Sequence, residues 1–82
     1  MELKDTIEMM NSEDPKQQFR AEYYQVVIRY KKLKSMLLKW DEGTLDFKPM
    51  CPRSIYDMQI EAMKNYIEIL ETRANIEHIV EL

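Results

Sequence analysis

One glycine, one cysteine and one histidine in 82 residues leave this chain without the materials of most catalytic sites. A loop that cradles phosphate needs several glycines, and Gly43 stands alone. Cys51 has no second cysteine to pair with, and no cluster of cysteines and histidines offers a structural metal. Glu61, Glu68 and Glu71 lack the Glu-x-x-His spacing of a di-metal bundle. His78, near the end of the chain beside Glu77 and Glu81, reads as a surface group, because a general base must be held in place. Cys51 precedes Pro52 at a helix start with no base to activate its thiol. The expectation is a non-enzymatic protein with no metal and no cofactor.

Long apolar runs are missing too. None approaches the ~20 residues that span a bilayer, and Met1-Glu-Leu-Lys-Asp-Thr-Ile lacks the apolar core of a secretion signal. A cytoplasmic protein with no membrane partner is expected. A net charge of −3 argues against duplex nucleic acid, where many phosphates must be neutralised at once. The distribution of charge says more than its sum. Residues 1–14 carry Glu2, Asp5, Glu8, Glu13 and Asp14 against Lys4 alone, whereas Arg29, Lys31, Lys32, Lys34 and Lys39 lie in a stretch without an acid. That stretch suits a small anionic partner.

What is present is helical periodicity. Phe19, Tyr23, Val26, Tyr30, Leu33, Leu37 and Trp40 form one seam at four- and three-residue steps, and Tyr56, Ile60, Met63, Ile67, Leu70 and Ala74 form another. The fold class expected is all-α, a long antiparallel helical hairpin with a short N-terminal helix or arm, in a single domain over residues 1–82. Residues 1–13 form the arm, with Leu3, Ile7 and Met10 on one face, enough to dock on a neighbour. The first long helix covers 14–42, where Asp14 caps, Pro15 suits the first turn and Gln17 completes a capping box. A connector follows over 43–52, opened by Gly43 and folding back over the hairpin end, where it could serve as a lid. The second long helix covers 53–80, with no glycine or proline to interrupt it.

That second helix has an additional apolar line, Ile55, Met58, Ala62, Tyr66, Ile69, Ile76 and Ile79, which one partner helix cannot cover. The arm, the connector or other copies must bury it. A homo-oligomeric helical bundle is the preferred expectation, and a monomeric three-helix bundle the alternative.

Arg29 and Lys32 share a face of the first helix, with Lys31 nearby, and could hold a phosphate; a solvated charged face is the plainer reading. Tyr24 lies off the first seam, on a side where an aromatic face could stack. Arg73 falls on the second apolar line of its helix. It either pairs with Glu77 or Glu68, or gathers with copies of itself around an anion.

Phe19-x-x-Glu22, Lys32-Leu33-Lys34-Ser35-Met36-Leu37 and Gln59-x-x-Ala62-Met63-x-x-Tyr66-x-x-x-Leu70-x-x-Arg73-Ala74 together cover most of residues 15–78. This pattern resembles the phage anti-CBASS cyclic-oligonucleotide sponge family and related small prophage proteins. The resemblance implies a homohexamer in the host cytoplasm that sequesters cyclic di- or trinucleotides without cleaving them. It places ligand contacts at Arg29, at Lys31 or Lys32, and at Arg73. Where the family has an aromatic residue near the first turn, this chain has Pro15, and Phe19 is the nearest ring. The alternative function is a helical adaptor that binds protein partners through the surplus apolar line.

Overall fold

The computed structural model describes residues 1–79 and 82. All of the regular structure among them is helical. A 3-10 turn, Leu3–Thr6, runs into a short helix α1, Ile7–Met10, followed by α2, Pro15–Glu42, and α3, Arg53–Ile76. Among the described residues no helix is long and apolar enough to cross a membrane.

The start of α2 follows from local chemistry. Asp14 sits in extended backbone and its carboxylate accepts the Lys16 N–H at 3.0 Å, with Pro15 in the first turn where its missing N–H costs nothing. The capping box expected from Gln17 has no donor left. Ser12 Oγ already accepts the Asp14 N–H at 3.1 Å, and it is Gln18 that reaches back, donating to the Ser12 carbonyl at 2.7 Å. At the other end Gly43 takes φ +74, which lets Thr44 donate to the Lys39 carbonyl and close the last turn.

α2 and α3 lie antiparallel, with Tyr23 opposite Glu71 and Trp40 opposite Tyr56. Phe19, Leu70, Ala74 and Ile79 are buried together, with Tyr23 and Val26 packed against them. Leu70 is 1% exposed, and burying such a side chain stabilises by about 1.5–3 kcal/mol.

Two expectations need correction. The second long helix does not run to 80. It stops at Ile76, because His78 adopts φ +56 and Ile79 donates back to the Ala74 carbonyl at 2.8 Å. This left-handed closure turns Ile79 into the core beside Phe19, a burial that offsets the strain of a non-glycine residue at that φ. Val80, the expected end, lies outside the described residues. The arm, for its part, docks on α2 of its own chain, and only part of the face Leu3, Ile7 and Met10 takes part: Leu3 is half-buried and Met10 Sδ accepts from Gln25 Nε2 at 3.6 Å. Ile7 and Met10 are about half exposed; Thr6 is the buried contact, donating to the Leu3 carbonyl at 2.7 Å and accepting from Gln25 Nε2 at 3.0 Å.

Because the arm packs on α2 alone, the second apolar line of α3 stays bare. Ile55, Met58, Ala62, Tyr66, Ile69 and Ile76 are all exposed, Ile69 by 59% and Ile76 by 72%. Ile79 alone of that line is buried. The molecule is elongated, 43 × 24 × 18 Å, with a radius of gyration of 15.1 Å against about 12 Å for a compact chain of this length.

Candidate functional site

Positions 24, 27, 28 and 31 recur on one side of α2, away from α3, and place Tyr24, Val27, Ile28 and Lys31 in a row, with Lys32 at its edge. These residues line a cleft of about 470 Å³. Tyr23 forms its inner wall, and Met1 and Leu82 border it. Apolar side chains make the floor while Lys31 and Lys32, both exposed, hold ammonium groups at one end.

The inner wall is tied to the other helix. The Tyr23 hydroxyl donates to Glu71 Oε2 at 2.8 Å. Burial, reinforced by that carboxylate, pushes the Tyr23 phenol up to about 12 from an ordinary 10.0. Its ring meets that of Tyr24 edge to face, 5.6 Å between centroids at 69°.

Of the residues expected from the sequence, Tyr24, Lys31 and Lys32 come together in this cleft, and three others do not join them. Arg29 is exposed on a different side of α2, about 140° round the helix from Tyr24. Phe19 is in the core, 6% exposed. The Arg73 guanidinium lies 4.9 Å over the Phe19 ring and its Nε donates to Glu77 Oε2 at 2.9 Å. Arg73 thus carries the Glu77 ion pair, the first of its two readings, while remaining about half exposed beside a groove of about 290 Å³ shared with Pro15 and Lys16.

Val27, Ile28 and Glu71 were missed. The first two follow Tyr24 by three and four residues, so helical spacing could have found them. Glu71 could not be found that way, since it meets Tyr23 across 48 residues of sequence. The connector lies at the far end, against Trp40 and not over the cleft. No group of three or more metal-ligating side chains is present among the described residues.

A site of this kind offers point charges for an anion, an aromatic face and an apolar floor. No curated protein and no solved structure matches the chain. A family model does: the model described as Sequestin matches residues 13–76, which bears out the resemblance carried by the motifs of the two long helices. The family's name agrees with a sequestering role. With most of its length matched, both long helices included, the chain belongs to the Sequestin family.

Proposed function

We propose that this protein binds a cyclic oligonucleotide second messenger and withholds it, uncleaved, from an immune effector in the cytoplasm of a phage-infected bacterium. The observation that carries the reading is the cleft in which Lys31 and Lys32 stand beside Tyr24 over an apolar floor. Ammonium groups complement phosphates, and an aromatic face stacks on bases of any sequence. At about 470 Å³ the cleft is of a size usual for small-molecule sites. Among the described residues the side chains lining it supply charge and stacking but no nucleophile held by a base.

Assembly is part of the proposal. The chain exposes 6186 Å², against about 5,200 Å² for a compact monomer of 10.0 kDa. The difference is comparable to one partner's share of a stable interface, about 800 Å². The bare line of α3 supplies the apolar surface such an interface uses. A homohexamer with Arg29 and Arg73 completing ligand contacts between copies accounts for their distance from the cleft within one chain. The same bare line also supports the adaptor reading, in which a different protein covers it.

Equilibrium dialysis against a panel of cyclic di- and trinucleotides, followed by denaturation and chromatography of the released ligand, tests the proposal. Depletion from solution and recovery of intact ligand are expected. Lys31→Ala and Lys32→Ala should each weaken binding about ten- to a hundredfold, the cost of one charge-assisted contact. Light scattering separates the two uses of α3: a stable oligomer dissociated by Ile69→Glu supports self-assembly, and a monomer that binds no cyclic nucleotide supports the adaptor.

A further inference from the structure

Within the cleft, Tyr24 and Lys31 lie two turns apart on α2, about 10 Å along the helix axis. Inorganic phosphate cannot span that distance; a nucleotide, with its anion at one end and a planar base at the other, can. The orientation of the Tyr24 ring then decides whether the base is met face on. Tyr24 rests edge to face on Tyr23, 5.6 Å between centroids at 69°. Tyr23 is in turn held by the 2.8 Å bond from its hydroxyl to Glu71 on the opposite helix. Nothing in the local sequence of α2 requires this bond, which crosses the interface between the two long helices.

We infer that Glu71 and Tyr23 are positioning residues that set the Tyr24 ring as a stacking face, and so tune which base the cleft prefers, although Glu71 does not line the cleft itself. The inference rests on the reading of the cleft as a cyclic-nucleotide site. Glu71 anchors the Tyr23 hydroxyl, the anchored ring supplies a fixed wall, and the wall limits the angles open to Tyr24. Purine rings present more area to such a face than pyrimidines, so a well-set Tyr24 favours purines, and a loosened one favours them less.

The test uses the full chain and two probes, cyclic diadenylate and cyclic diuridylate. Tyr23→Phe removes only the hydroxyl, Glu71→Leu only the acceptor, and Glu71→Gln keeps an acceptor oxygen. In the first two variants the ratio of affinities for the adenine over the uracil probe should fall roughly fivefold, and Glu71→Gln should restore it. Ligand-free side-chain NMR of Tyr24 should show faster ring averaging in the first two variants and parent-like signals in the third. Thermal melts confirm that each is folded. A preference ratio unchanged in Tyr23→Phe and Glu71→Leu, with Tyr24 signals also unchanged, overturns the positioning role while leaving the cleft reading intact. A parent chain that binds neither these probes nor any other member of the cyclic-nucleotide panel overturns both.

Discussion

At the connector end of the molecule, Arg53 forks onto Asp41, with Nη1 on Oδ1 and Nη2 on Oδ2 at 3.1 Å. Its Nε donates to Asp57 at 2.9 Å, and its guanidinium lies 5.4 Å over the Trp40 ring. At the other end Phe19, Leu70, Ala74 and Ile79 bury one another. The first arrangement is polar and half in water; the second is apolar and dry. Solvent-screened pairs add little stability but fix direction through a planar fork, whereas apolar burial is strong and tolerant of angle. The connector end therefore sets how α2 meets α3, and the terminal end supplies most of the energy that keeps them together. The contrast also bears on function. Arg53 is occupied by acids, while Lys31 and Lys32 belong to the acid-free stretch of α2 and make no ion pair among the described residues.

The sharpest way to break this comparison is at the apolar end. Leu70→Ala should destabilise the chain by about 2–5 kcal/mol, read by chemical denaturation, because a fully enclosed side chain leaves a cavity. A loss no larger than that of an exposed ion pair would show that the energy lies elsewhere. Next in size, His78→Gly should raise stability by about 1 kcal/mol in the same assay, since glycine adopts φ +56 without the clash that an L side chain meets there. The Ile79 closure should survive the change.

Asp41→Asn should cost less than Leu70→Ala, and its signature is pH dependence. Hydrogen bonds from Arg53 hold the Asp41 carboxyl below its ordinary value of 3.8. The unfolded chain therefore takes up that proton first, and the contribution is present above about pH 4 and lost as pH falls through the depressed value. Melts of parent and Asp41→Asn should differ at neutral pH and converge in acid.

The smallest effect sits on Tyr23. Its phenol, raised from 10.0 to about 12, keeps its proton in the folded chain after the unfolded chain has lost it. That contribution is present below pH 10 and lost as pH rises toward 12. Absorbance titration should find one tyrosine ionising later than the rest. Glu71→Gln should lower its midpoint only part of the way, because burial is the larger cause.

Periodicity in the sequence was enough for the two seams, since Phe19, Leu37, Leu70 and Ala74 are buried as their spacing requires. Capping chemistry likewise marked Asp14, Pro15 and Gly43, whose effects act within one turn of the chain. Local rules stopped where distant residues compete. The end of α3 was unreadable because nothing near His78 announces a left-handed residue; the gain comes from Ile79 reaching Phe19, 60 residues away in sequence. The seat of the arm was hidden for a similar reason. Its apolar face suggested purely hydrophobic docking, yet Gln25 of α2 meets both Met10 and Thr6, and it is Thr6, satisfied by its hydrogen bond, that is buried.

By itself, then, the sequence determined the helices, their inner faces and the basic, acid-free stretch of α2, because these depend on spacings of a few residues and on charge count. Only the tertiary structure decided that Tyr24, Lys31 and Lys32 share a cleft from which Arg29 and Arg73 are absent, and that Glu71 reaches Tyr23. Which side of a helix faces a cleft, and which carboxylate meets which hydroxyl, depends on how α2 and α3 register against each other. That register is set by contacts between residues far apart in the chain, such as Arg53 with Asp41 and Ile79 with Phe19.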